Sequence, residues 1–136
     1  MPVQTSDLMT FAEGLLSLPS EAAWRAAISR SYYAVYHRAL KWEEEQHING
    51  SNIGRPGGAH QQLINRLRNP SIALPTELRR RSALLATKLE IQRDRRVDAD
   101  YWLQKDIAIE LATMQLEQAK EAINEHCGKP RCNPSA

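Results

Sequence analysis

Phenylalanine is almost missing from this chain, which has one, and cysteine occurs only twice. A core must therefore come from Leu, Ile, Ala, Trp and Tyr, and it must hold without a disulfide framework. Runs of Val, Ile and Thr with period-two alternation are absent, which leaves no credible strand. No apolar stretch reaches the roughly 18 residues that a membrane-spanning helix needs. The start of the chain has no basic segment followed by an apolar run, so no signal peptide is expected and a cytoplasmic location is. Also lacking are a Gly-rich phosphate loop after a strand, an HExxH helix and a nucleophile elbow.

What remains is a 136-residue chain rich in Ala, Leu, Glu, Gln and Arg, all good helix formers. Its length suits one domain with a real core. The expected fold is all-α, an antiparallel up-and-down bundle of four to five helices over residues 1–128, with a disordered tail over 129–136. A first helix is expected from Thr5, Ser6 and Asp7 to about Leu18, with Leu8, Phe11, Ala12, Leu15 and Leu16 inward. Ser20 caps a second that runs to about His47. Residues 49–58 form the main loop, the most mobile part of the expected fold, and a short helix covers Ala59–Leu67 with Leu63, Ile64 and Leu67 buried. Pro75 opens a fourth helix reaching about Arg96, with Leu78, Ala83, Leu84, Leu85, Leu89 and Ile91 on its buried side. The charged stretch Arg93–Asp100 is expected to be a helix end or a tight corner. A last helix covers Tyr101–His126, its seam formed by Leu103, Ile107, Leu111, Met114, Ala122 and Ile123, with Gly128 as its cap and Pro130 beyond it.

Net charge is only +2, yet Arg66, Arg68, Arg79, Arg80, Arg81, Arg93, Arg95 and Arg96 are concentrated in one region. Solvated helix faces and a basic surface for phosphates are both open readings. The densest chemistry lies in Arg25-Ala26-Ala27-Ile28-Ser29-Arg30-Ser31-Tyr32-Tyr33-Ala34-Val35-Tyr36-His37. At about 100° per residue, Arg30, Tyr33 and His37 share one helix face, nearly opposite Trp24, Ile28, Val35, Ala39 and Trp42. A guanidinium grips phosphate oxygens, an imidazole moves protons near neutral pH, and a phenol stacks on a base or donates to phosphate. The same stripe could instead cover a helix–helix or subunit interface. A second group, Arg93, Arg95 and Arg96 with Asp98, Asp100 and Tyr101, fits either intrahelical pairing or a polar cluster facing Arg30. His126, Cys127 and Cys132 give three donors where structural zinc takes four, so no metal site is expected. His47 and His60 flank the loop without an obvious partner and read as surface residues.

These residues resemble the second-helix signature of HEPN domains, which in one branch reads roughly R-x-A-I-S-R-A-Y-Y-A-x-F-H. Gly58-Ala59-His60 resembles the family's mid-chain segment, and Arg95-Arg96-Val97-Asp98-Ala99-Asp100-Tyr101 its R-x-x-A-D-Y element. The resemblance spans about residues 10 to 125. It implies an all-α bundle, a homodimer with a cleft between paired faces, and RNA or a nucleotide-type ligand. Many HEPN proteins are metal-independent endoribonucleases of toxin–antitoxin or phage-defence systems with an antitoxin or nucleotidyltransferase-like partner; no cofactor is implied. The family's catalytic Arg and His normally lie near the start of the last long helix. Here that place holds Arg95 and Arg96 followed by Asp100 and Tyr101, without the histidine. Arg30 to His37, inside the signature, and Arg55 to His60, in the loop, fit the family spacing. The resulting site expectation is His37 and Arg30 as catalytic candidates, with Tyr33, Arg93, Arg95, Arg96, Asp100 and Tyr101 binding the ligand. The alternative is a non-catalytic HEPN-fold module that binds a protein partner.

Overall fold

The computed structural model describes residues 2–52 and 54–127. Among them are five helices and no strand: α1 (Thr5–Leu16), α2 (Glu21–Glu45), α3 (Ala59–Arg68), α4 (Thr76–Tyr101) and α5 (Ile109–His126). They pack as one bundle, with no helix long and apolar enough to cross a membrane. The expected tail and its cap, including Gly128, Pro130 and Cys132, lie outside the described residues.

Helix α2 is the axis of the bundle. It is about 37 Å long at 1.5 Å per residue and touches all four other helices. Small residues on most of its circumference, among them Ala23, Ala27, Ser31, Ala34 and Ala39, are buried and let neighbours approach closely. Ser20 caps it by accepting from the Ala23 N–H at 3.4 Å. Antiparallel packing follows from the contacts. Ser29 meets Asp100 and Tyr33 meets Arg96 between α2 and α4. Arg81 meets Glu125 and Arg95 meets Gln115 between α4 and α5.

Several boundaries and faces differ from expectation. The cap of α1 is Gln4, whose N–H donates to Asp7 Oδ2 at 2.8 Å, so Asp7 acts from inside the first turn. Phe11 is exposed, and Met9 takes the buried position beside Ala12. Helix α4 does not end near Arg96 but runs through the charged stretch to Tyr101, and the corner falls at 102–108. That stretch stays helical because its arginines find partners within α4 and on neighbouring helices and its carbonyls are capped. Arg96 pairs with Asp100, and the buried Arg25 of α2 gathers the carbonyls at the helix end.

Leu84, Ile91, Leu103 and Met114, expected inward, are exposed. Helix α5 instead buries Ala112, Gln115, Leu116, Ala119 and Ala122. Between α2, α4 and α5 runs a polar seam. The Gln115 amide donates to Ser31 Oγ at 3.3 Å and to Gln92 Oε1 at 3.2 Å, and Gln92 donates to the Gln118 carbonyl at 3.4 Å.

The first part of the 49–58 loop is pinned to α3 and the segment after it. Ser51 N–H donates to the Asn69 carbonyl and Ser71 N–H to the Ile48 carbonyl, each at 3.0 Å, and Ile48 is fully buried. A Cβ on Gly50 would stand 1.9 Å from the Arg66 carbonyl oxygen, so this close approach requires glycine.

Candidate functional site

Helix spacing decides which members of the charged stretch reach α2. Arg93, Arg96 and Asp100 lie three and four residues apart and share a face, while Arg95 points away from them. The structure turns that face towards the tyrosine segment of α2. Arg96 donates from Nη2 to the Tyr33 hydroxyl at 2.7 Å. Its Nε lies 2.8 Å from Asp100 Oδ2, a close ion pair off the N–H axis rather than an aligned hydrogen bond. The guanidinium carbon sits 5.1 Å from the Tyr33 ring centre and 5.5 Å from that of Tyr101, so the cation is within cation–π reach of two aromatic rings. Ser29 Oγ donates to Asp100 Oδ2 at 3.1 Å and holds that carboxylate in place.

His60 is a correction. It is not a free surface residue but a half-buried member of this cluster. Its ring centre lies 4.1 Å from that of Tyr36, 5.5 Å from Tyr32 and 5.9 Å from Tyr33. Its Nδ1 is 2.7 Å from the Tyr32 hydroxyl. The N-terminus of α3 delivers it, and the chain enters α3 through Gly57, whose φ of +134° suits glycine. Nothing in the spacing of His60 could reveal this placement, because its partners lie on α2, 24 to 28 residues earlier. The Gly-Gly pair before α3 was the only local signal of a sharp entry.

His37 is exposed on the next turn of α2. Its ring stacks on Tyr33 at 6.2 Å and meets Tyr36 edge-on at 5.2 Å. The two imidazoles thus flank one pair of tyrosines, and His37 is near enough for its charge to bear on His60. Burial, followed by Arg96, Arg93 and His37, holds the His60 pKa below its ordinary value. Burial also pushes the Tyr32 phenol above its ordinary value. Arg93 donates from Nη1 to Gln61 Oε1 at 2.8 Å and has no carboxylate partner among the described residues. Arg30, one turn before Tyr33, is exposed with no hydrogen bond or ion pair among the described residues.

Among the residues expected at a site, Tyr33, His37, Arg93, Arg96, Asp100 and Tyr101 come together, and Arg30 borders them in sequence on the open face of α2. Arg95 does not join. Its Nη1 donates to Gln115 Oε1 at 3.1 Å and to Gln118 Oε1 at 2.5 Å, and burial lowers its pKa. It ties α4 to α5.

His126 and Cys127, at the end of α5, are both buried, and the thiol is pushed up to about 12 by burial. Among the described residues no three His, Cys, Asp or Glu side chains are grouped to hold a metal ion.

The arrangement therefore combines two guanidiniums, two imidazoles and an aromatic wall, with Asp100 as the carboxylate paired to it. Such a surface suits an anion carrying a flat ring. Comparison with protein-family models, curated proteins and solved structures finds no match to this chain.

Proposed function

We propose that this bundle binds RNA or a nucleotide-containing ligand on the α2–α4 face and acts as a metal-independent endoribonuclease of the HEPN type. The observation that carries this reading is the convergence of Arg93 and Arg96 with His37, His60 and Tyr33. A phosphodiester rests on the guanidiniums while Tyr33 or Tyr101 stacks on a base. His37 accepts the proton of a ribose 2′-hydroxyl, and the oxygen attacks phosphorus. The bond from phosphorus to the 5′-oxygen breaks, and the imidazolium returns its proton to that oxygen. The products are a 2′,3′-cyclic phosphate end and a 5′-hydroxyl end. A homodimer, an antitoxin or nucleotidyltransferase-like partner and a defence role belong to this proposal through the resemblance alone, and a cytoplasmic setting through the signal-peptide and cysteine arguments from the sequence.

The test is incubation of end-labelled RNA with purified protein in EDTA. Cleavage with cyclic-phosphate ends by the wild type, lost in His37→Ala with RNA binding retained, is the expected result. Equal cleavage by both proteins removes His37 from the chemistry.

One observation favours a second reading, a non-catalytic module that binds a protein partner. Asp100 stands where the family carries its histidine, and it already pairs with Arg96. Under that reading the wild type cleaves nothing and the α2–α4 face recognises a protein partner.

A further inference from the structure

Tyr32 is fully buried, and its hydroxyl has one hydrogen-bond partner among the described residues, His60 Nδ1 at 2.7 Å. A buried hydroxyl left without an acceptor is costly, because it gives up its hydrogen bond to water and gains none in return. The phenol keeps its proton, because burial pushes its pKa up. Its O–H therefore points at Nδ1, and Nδ1 must present a lone pair. That places the imidazole's own proton on Nε2. Nε2 has no hydrogen-bond partner among the described residues and is not sealed from solvent.

The groups around the ring maintain this state. Facing it are Tyr32, Tyr33, Tyr36 and His37 from α2, and Arg93 and Arg96 from α4. None of these is acidic. Protonating Nδ1 would turn the Tyr32 O–H away from its acceptor and add a cation beside two guanidiniums. His60 is thereby held neutral, with its basic nitrogen occupied and a donor facing outward.

We propose that His60 is a fixed hydrogen-bond donor, not a proton carrier: its Nε2–H binds a non-bridging phosphate oxygen beside Arg93, and Tyr32 is the positioning residue that locks the tautomer. This rests on the RNA or nucleotide reading and divides its labour. His37, exposed and without a hydrogen bond among the described residues, moves protons, while His60 holds the oxygen on which charge grows.

The test is long-range 1H–15N NMR of the histidine rings in the full-length protein at neutral pH. Two probes are added separately: inorganic phosphate, and a short 2′-deoxy oligonucleotide that cannot be cleaved through a 2′-hydroxyl. An Nε2–H tautomer at His60 is expected, with a shift at Nε2 on adding the oligonucleotide. Arg93→Gln should weaken that binding about tenfold, the worth of one charge-assisted hydrogen bond. Tyr32→Phe should release the tautomer into a mixture, and the wild-type spectrum decides the matter if that variant does not fold. An Nδ1–H tautomer or an imidazolium at neutral pH overturns the proposal. So does a His60 that stays still while His37 shifts with the oligonucleotide, a result that leaves the RNA reading intact. A response to inorganic phosphate alone keeps the donor role but moves the ligand to free phosphate compounds. If neither probe moves either ring, both readings are overturned.

Discussion

The Arg96 guanidinium donates to the Tyr33 hydroxyl at 2.7 Å, joining positions 63 residues apart in sequence. This bond joins the basic stretch of α4 to the tyrosine segment of α2, and the rings of Tyr33 and Tyr101 both lie within 5.5 Å of the cation. Removing the hydroxyl by Tyr33→Phe leaves the ring contact and deletes the bond. A double-mutant cycle between Tyr33→Phe and Arg96→Ala should give a coupling of about 1 kcal/mol in urea denaturation. A coupling near zero would show that the bond adds nothing to stability.

Arg25 acts as a cap made by another helix. Its Nη1 donates to the carbonyls of Asp98, Ala99 and Trp102 at 3.3, 3.0 and 3.2 Å, and its Nη2 to those of Leu103, at 3.4 Å, and Lys105. Glu21 pairs with it at 3.6 Å and accepts from the Ile107 N–H at 2.7 Å, which secures the corner from both sides. Arg25→Ala strands this set of carbonyls and should cost about 3 kcal/mol, with early hydrogen exchange over 98–108. Arg25→Lys should recover part of the loss. An unchanged urea midpoint in the alanine variant would refute the capping role.

Arg30 lies on the open stripe of α2 with no partner among the described residues. Its replacement by alanine should change stability by no more than about 0.5 kcal/mol. If RNA binds this face, the same variant should reduce the slope of log affinity against log salt by about one. A large fall in melting temperature would instead mark Arg30 as structural.

Acid should destabilise the bundle through His126. The ring is buried, neither nitrogen has a hydrogen-bond partner among the described residues, and burial first, then Lys88, lowers its pKa from 6.5. The unfolded chain takes up the proton more readily, so the contribution to stability is complete above pH 6.5. It is lost as pH falls from there through the depressed value. His60 has the same sign. Melting temperatures measured from pH 7.5 down to 5 should fall for the wild type and fall less for His126→Leu. Parallel curves for the two proteins would contradict this.

Apolar periodicity and capping residues made the helices legible in the sequence, so Ser20 and the buried Leu63, Ile64 and Leu67 stand where expected. Periodicity held in α4 for the buried Leu85 and Leu89 but failed elsewhere, because a helix in a bundle meets neighbours on more than one side. Its polar residues then face partners as often as water. Gln92 and Ser82 are buried, whereas Leu84 and Ile91 are exposed. The charged run 93–100 reads as a terminus only while Arg25, at the other end of the chain, is left out.

The candidate site divides in the same way. The sequence by itself determined an all-α bundle and one α2 face carrying Arg30, Tyr33 and His37, because residues three and four apart on a helix share a face whatever surrounds them. Only tertiary packing decided that Arg93 and Arg96 join that face while Arg95 leaves it, that Asp100 pairs with Arg96, and that His60 enters from α3. Each of those facts is a contact between residues distant in the chain, fixed by how the helices cross and by which buried polar groups must find partners.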